Sequence, residues 1–234
     1  MVTKSPPSVI ITGANRGVGL NLARRYAVDG WRVHACCRDP ENAAGLRDAL
    51  QGHNGLVHPL DVCDHQSVYD LRDALEGEPI DVLINNAGVF GGDHQSFGDM
   101  DYDAWAETLE INTFAPYRIT EILLDNVEAS VKKTVANISS RMGSITNYVR
   151  GGEFIYRSSK TALTMVTLNL AYDLRDHGII LAAFHPGWVQ TDMGGPMADI
   201  TPEFSALSLK SSISKLTPEL SGKLLNYDGA IIEW

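Results

Sequence analysis

Short apolar runs and amphipathic stretches alternate along most of this chain, and that alternation restricts the fold more than any other feature. Runs at 9–12, 32–37, 56–60, 80–85, 134–139 and 179–184 read as strands. Stretches at 17–29, 41–50, 67–75, 101–125 and 156–177 read as helices. Repeated strand-helix-strand units lay successive strands parallel, with the crossover helices covering both faces of the sheet. Runs as uniformly apolar as Val82-Leu83-Ile84 suit strands buried on both sides. The expected class is therefore α/β, a doubly wound parallel β-sheet flanked by helices.

After Phe184 the pattern gives way to Pro, Gly and Thr, which predicts a loop and short helix laid over the strand ends, a substrate-loop region of about 186–216. Residues 207–216 read as helical and 222–227 as a last strand before Asp228-Gly229. The 234 residues contain no solenoid repeat, low-complexity tract or interdomain linker, so 1–234 is expected to form a single domain.

A formal net charge of −10 argues against a nucleic-acid or anionic-membrane partner, since both would repel such a surface. No run is long enough to span a bilayer. The opening Met1-Val2-Thr3-Lys4 leads into an apolar run that stops at Thr12-Gly13, which is not a signal-peptide pattern. Cys36 and Cys37 are adjacent and face opposite sides of a strand, leaving Cys63 alone for any longer bridge. A reduced, cytoplasmic protein is the simplest expectation. His53, His58, Cys63 and His65 crowd one region, but their spacing matches no ligand motif, so no metal is expected.

Gly13, Gly17 and Gly19, in Thr12-Gly13-Ala14-Asn15-Arg16-Gly17-Val18-Gly19, fall between the first strand and the first helix. There they permit a tight turn and close approach of a pyrophosphate, while the helix N-terminus supplies amides and positive dipole. A glycine cluster in a turn is also compatible with a purely structural role; its position after the first strand is what points to a dinucleotide-binding Rossmann fold. The second strand ends Cys36-Cys37-Arg38-Asp39. An acid about 20 residues beyond the glycines ordinarily holds the ribose hydroxyls, whereas an Arg accommodates a 2′-phosphate. Arg38, with Arg16 as a second guanidinium, favours NADP(H). The alternatives are that Arg38 and Asp39 only solvate a turn, or that Asp39 approaches the ribose.

Farther along, Tyr156-Arg157-Ser158-Ser159-Lys160 places a phenol and an ammonium one helical turn apart. A free Tyr has a pKa of about 10, and a neighbouring cation lowers it. Ser139-Ser140 ends the fifth strand and points a hydroxyl into the same crevice, placed to hold a substrate oxygen while Tyr156 delivers a proton. Each feature alone has a bland reading, an amphipathic helix face or a strand-end cap. Their combination with an upstream phosphate loop carries the chemistry.

Taken in order, these motifs resemble the classical short-chain dehydrogenase/reductase family, and the resemblance covers essentially the whole chain. The endings around His185-Pro186-Gly187-Trp188-Val189-Gln190-Thr191-Asp192-Met193-Gly194-Gly195 look like its C-factor and sniffer-like carbonyl reductase branch. The resemblance implies that Cys37 stands where an NAD-selecting Asp would be. It further implies that Asp61-Val62 and Asn86-Ala87-Gly88 contact the adenosine half of the cofactor. Pro186, Gly187 and Val189 form the turn beside nicotinamide, and Thr191 positions the carboxamide. It selects Ser140, in Ser140-Arg141-Met142-Gly143, as the substrate-orienting hydroxyl. Asn112 becomes the fourth catalytic residue, kinking its helix and holding a water that connects Lys160 to solvent. The segment 144–155 is longer than the family's commonest spacing and is expected to line or cover the substrate pocket.

The implied function is reduction of an aldehyde or ketone by NADPH, with Tyr156 as proton donor and Lys160 binding ribose while lowering the phenol's pKa. Rival readings are an NADP-dependent alcohol or steroid dehydrogenase working oxidatively, and a dinucleotide-sensing protein without physiological turnover. The partner is a small-molecule carbonyl or alcohol, and by family analogy the chain forms a homodimer or homotetramer.

Overall fold

The computed structural model describes residues 5–234, so the opening Met1-Val2-Thr3-Lys4 lies outside the described residues. The first half of the sheet is built from β1 (Ser8–Thr12), α1 (Gly17–Val28), β2 (Arg32–Cys37), α2 (Ala44–Leu50), β3 (Gly55–Pro59), α3 (His65–Ala74) and β4 (Val82–Asn85). A small hairpin, β5 (Gln95–Ser96) and β6 (Asp99–Met100), precedes α4 (Tyr102–Leu109), α5 (Ala115–Ile122) and α6 (Leu124–Glu128). The chain continues through β7 (Thr134–Ile138), α7 (Phe154–Asp173), β8 (Ile180–His185), α8 (Pro202–Ser214), β9 (Leu224–Asn226) and β10 (Ile231–Ile232).

Eight strands join in the order β10-β9-β8-β7-β4-β1-β2-β3. All pair in parallel except β10, which returns antiparallel along β9. The expected last strand at 222–227 is therefore followed by one more, and the parallel sheet has a mixed edge. The chain winds outward from β1 to β3 and then restarts at β4 on the other side of β1. That reversal opens a crevice at the carboxyl ends of β1 and β4, where ligands of such sheets bind.

Strand alternation feeds two cores. Val9 and Ile11 pack on one face with Leu22, Tyr26 and Leu46 beneath α1, α2 and α8. Ile10 packs on the other with Leu71, Ile119 and Leu170 beneath α3, α5 and α7. Cys37 joins the first core and Cys36 the second, so the adjacent cysteines do face opposite sides and both remain free thiols.

Several boundaries differ from expectation for local reasons. The helix expected at 41–50 begins only at Ala44, because Arg47 reaches back to the carbonyls of Pro40 and Glu41 and closes a turn there. The region 101–125 divides into α4, a π-helical turn Glu110–Phe114, α5 and α6, with Pro116 in the first turn of α5. Helix α8 starts at Pro202, five residues before the expected 207, since Thr201 caps it by accepting from the Phe204 N–H at 3.3 Å. The hairpin β5–β6 was not anticipated; strands of two residues each are too short to give a readable alternation. Among the described residues no helix is long and apolar enough to cross a membrane.

Candidate active site

The glycine turn is gripped from two sides. Gly13 has φ +63, and a Cβ there would lie 2.9 Å from Ala87 Cα. Gly17 has φ +55, and its Cβ would meet Thr191 Cγ2 at 3.2 Å. A Cβ at Gly19 would fall 2.3 Å from the Gly13 carbonyl oxygen and 2.5 Å from Asn86 Nδ2. Hydrogen bonds lock the same junction. Thr12 Oγ1 accepts from the N–H groups of Asn86 and Ala87, both at 3.0 Å, and Asn86 Nδ2 donates to the Thr12 and Gly13 carbonyls at 2.9 and 3.1 Å. Segments 12–19, 86–88 and the loop carrying Thr191 therefore meet at the crevice.

Helix α1 opens there without a side-chain cap, Arg16 being extended at its N-cap. By contrast α3, α4 and α8 are capped by Asp64, Asp101 and Thr201. A helix start left uncapped beside small residues fits a pyrophosphate group, which would accept from the free amides and sit at the positive end of the dipole. Asn15 and Arg16 are exposed on the turn, and Val18 is half-buried. Arg38 is exposed at the end of β2. The Asp39 carboxylate accepts from the Asn42 backbone N–H at 3.2 Å and Nδ2 at 2.6 Å. Arg16 stands 3.1 Å from Asp192, so the second guanidinium is drawn toward the 191–195 loop. Asp61 closes a turn by accepting from the Cys63 N–H at 3.0 Å, next to buried Val62.

On the far wall, Gly187 has φ +89 and faces Ile200 and Tyr227, where a Cβ would lie 2.4 Å from Ile200 Cδ1. Pro186 accepts at its carbonyl from the Ser205 hydroxyl at 2.6 Å, which ties the loop to α8. Val189 is buried and bridges to Ile200. Thr191 Oγ1 donates to the Val189 carbonyl at 3.3 Å and accepts from the Gly194 N–H at 3.1 Å.

The candidate reacting groups come from the turn after β7 and from α7. Ser140 is buried, with Oγ accepting from the Met142 N–H at 3.1 Å. Ser139 points elsewhere, toward the Lys160 carbonyl and Thr164 Oγ1, both at 3.2 Å, so the geometry also distinguishes Ser140 from its neighbour. A Cβ at Gly143 would lie 2.7 Å from the carbonyl carbon of Lys160, so the turn after Ser140 rests directly on the helix backbone. Lys160 is 4% exposed and donates from Nζ to the Ile138 carbonyl at 2.9 Å. Burial pushes its pKa down to about 8. Burial pushes the Tyr156 phenol up to about 12, opposed by the Ser140 hydroxyl. Lys160 was expected to lower that value, but with its ammonium on Ile138, desolvation dominates.

Asn112 lies at the π-helical turn between α4 and α5. Its side chain is fully buried: Oδ1 accepts from the Val89 N–H at 2.9 Å, while Nδ2 donates to the Val89 carbonyl at 2.9 Å and to Ser159 Oγ at 3.0 Å. It joins the loop after β4 to the catalytic helix through protein partners. Gly88 brings that loop close, since a Cβ there would be 3.1 Å from Asn112 Oδ1 and 3.5 Å from Lys160 Nζ. Two contacts at this site carried no sequence signal: the Phe90 ring lies 5.0 Å from the Tyr156 ring, and Gln95 Oε1 accepts from the Tyr156 backbone N–H at 3.1 Å. His58, considered for metal, instead contacts His34 at 3.0 Å.

The family model for short chain dehydrogenases matches residues 7–200, and the chain belongs to that family. It is 42% identical over 156 residues to C-signal of Myxococcus xanthus, covering 67% of this chain and 93% of that protein. It is 34% identical over 237 residues to a 1-hydroxy-2-glutathionyl-2-methyl-3-butene dehydrogenase of Rhodococcus sp. strain AD45, covering 97% and 99% of the two chains. Among solved structures, the NADPH-bound carbonyl reductase from chicken fatty liver superposes with a TM-score of 0.89 at 32% identity, over 99% of this chain and all (100%) of that one. The carbonyl reductase Sniffer of D. melanogaster does so with a TM-score of 0.88 at 29% identity, over 99% and 100%.

Proposed function

We propose that this protein is an NADPH-dependent carbonyl reductase whose reacting groups are Ser140, Tyr156 and Lys160, supported by Asn112. The observation that carries the reading is the packing of the turn after β7 on α7: Gly143 rests on the Lys160 backbone, which sets the buried Ser140 against the helix that carries Tyr156 and Lys160 one turn apart. Its likeness over nearly full length to an NADPH-bound carbonyl reductase supports the cofactor and the reaction class.

When bound, NADPH supplies the hydride for the carbonyl carbon. The α1 N-terminus with Gly13, Asn15, Gly17, Val18 and Gly19 would hold the pyrophosphate, and Arg38 would face the 2′-phosphate, Arg16 being paired with Asp192. Asp61, Val62, Asn86, Ala87 and Gly88 border the adenosine half; Pro186, Gly187, Val189 and Thr191 border the nicotinamide half. Ser140 orients the substrate oxygen by donating its hydroxyl proton. Tyr156 delivers a proton to that oxygen as the new alcohol forms, and Lys160 stabilises the phenolate left behind. A phenol raised to about 12 is protonated at neutral pH, the state that proton donation to a carbonyl oxygen requires.

The test is consumption of NADPH and NADH against aldehydes, ketones, diketones and quinones, with Tyr156→Phe beside wild type. NADPH-selective turnover that falls by about a thousandfold or more in the variant supports the assignment, in line with loss of general acid catalysis. NADPH binding with no turnover across the panel overturns it in favour of a sensing role.

A further inference from the structure

The hairpin β5–β6 presents three half-buried or exposed residues, Ser96, Asp99 and Met100, and one buried one, Gln95, which is 3% exposed. A buried amide must find hydrogen-bond partners, and the ones it finds reveal what it holds. Gln95 Nε2 donates to the carbonyls of Gly92 at 2.6 Å and Phe90 at 3.3 Å. Its Oε1 accepts from the backbone N–H of Tyr156 at 3.1 Å.

That last contact completes something α7 lacks. The first N–H groups of a helix have no partner inside it, and an N-cap side chain ordinarily supplies one. At α7 the N-cap is Glu153, left-handed at φ 48 and making no side-chain cap. Its carboxylate is engaged with Arg150 at 2.9 Å and Arg157 at 3.2 Å. Intrahelical bonding starts at Arg157 N–H to the Glu153 carbonyl, 2.9 Å. Tyr156 is therefore capped from 61 residues away by Gln95. The same side chain holds the carbonyl of Phe90, whose ring lies against the Tyr156 ring at 5.0 Å. The intervening Gly91, at φ +93, seats this segment on the helix: a Cβ there would lie 2.4 Å from Ile155 Cγ2 and 2.8 Å from Thr108 Oγ1.

We propose that Gln95 is a positioning residue for the reaction, fixing the backbone of Tyr156 through its carbonyl oxygen and the ring wall beside the phenol through its amide donors. The proposal rests on the reading of Tyr156 as proton donor. A displaced phenol leaves the dinucleotide site untouched but moves the proton source away from the substrate oxygen, so the effect belongs in kcat. A glutamine that merely anchored the hairpin would change stability without that selectivity.

The experiment joins amide hydrogen exchange at Tyr156 to steady-state kinetics with NADPH and the carbonyl compound of the panel that is turned over fastest. Gln95→Met keeps the length and removes every polar contact. Gln95→Glu keeps the acceptor but sets a carboxylate against the two carbonyls, and protonation restores one donor. Ser96→Ala, on the exposed side of the same strand, is the control. In Gln95→Met, exchange at Tyr156 speeds up by about tenfold or more as the cap is lost. Its kcat falls by about tenfold or more while the KM for NADPH stays within about twofold. Gln95→Glu regains kcat relative to wild type as the pH is lowered from about 8 to about 6, as its carboxyl takes up a proton. Unchanged kcat in a folded Gln95→Met variant overturns the positioning role. Unchanged exchange at Tyr156 overturns the cap itself and needs no substrate, so it is separable from a failure of the carbonyl-reductase reading. If Gln95→Met does not fold, the pH response of Gln95→Glu decides, and a kcat ratio flat with pH overturns the proposal.

Discussion

The ammonium of Lys160 donates to the carbonyl oxygen of Ile138 at 2.9 Å and stands 5.8 Å from the centre of the Tyr156 ring. The last residue of β7 thus holds the lysine between the sheet and the phenol. That position removes the ammonium from water, which is why its pKa falls to about 8 from an ordinary 10.5.

The contribution of Lys160 to stability should therefore rise with pH above about 8. Between about 8 and 10.5 the unfolded chain keeps the lysine proton while the folded chain releases it, so unfolding takes up protons and becomes less favourable as pH increases. The full effect is on the order of 3 kcal/mol. Tyr156 acts oppositely above pH 10, where the folded phenol holds a proton that the unfolded one loses. Urea unfolding at pH 7.5 and about 9.5 without added dinucleotide checks this: wild type gains stability relative to Lys160→Met, while the thiols of Cys36, Cys37 and Cys63, which burial pushes up, oppose the lysine equally in both proteins. Equal slopes in both proteins would remove Lys160 from the account.

Three histidines work in the acid range. Burial pushes His34, His58 and His185 down to about 4, with Arg32, His34 and Arg141 respectively adding repulsion. Between 6.5 and about 4 they are neutral when folded and protonated when unfolded, so stability falls as pH falls through that window. His185 Nδ1 is buried without a partner among the described residues. His185→Leu is accordingly expected to be at least as stable at pH 7 and to lose less stability by pH 5. Parallel losses in the two proteins would contradict the assignment.

Arg38 carries the choice between the two nicotinamide cofactors in this reading, because Asp39 is committed to Asn42 and Arg16 to Asp192. Removing one charge-assisted bond to a phosphate costs about 1.5–3 kcal/mol. Arg38→Leu should raise the KM for NADPH about ten- to hundredfold and leave that for NADH nearly unchanged. Steady-state kinetics with both cofactors measures it, and an equal rise for each would show that Arg38 does not read the 2′-phosphate.

Gly19 tests the junction beneath the cofactor site. Gly19→Ala drives a methyl into the Gly13 carbonyl and Asn86 Nδ2. Backbone must shift, at about 1–3 kcal/mol. The variant should melt lower and show no further rise in Tm when NADPH is added. A normal NADPH-induced rise would mean that the turn does not hold the pyrophosphate.

Local signals were enough for the central parallel strands, the glycine turn and the placement of Tyr156 and Lys160 on one helix. Continuous apolar runs and i, i+4 spacing act over a few residues, so they are written in neighbouring positions. Side-by-side pairing of β4, β7 and β8 then brought the segments that follow them, carrying Asn86, Ser140 and Thr191, to the same edge of the sheet. The breaks at 101–125 and the early start of α8 were less legible, since a π turn and a Thr-Pro cap depend on single residues within otherwise plausible patterns.

The sequence by itself determined which groups are available to do chemistry and on which elements they ride. Only the tertiary structure decided how they are held. Lys160 faces Ile138, Asp39 turns to Asn42, Asn112 is tied to Val89 and Ser159, and Gln95 caps Tyr156 from a hairpin with no readable pattern. Each of these is a buried or close-range hydrogen bond whose partner is selected by packing, and spacing along the chain does not encode which distant donor or acceptor a folded segment will meet.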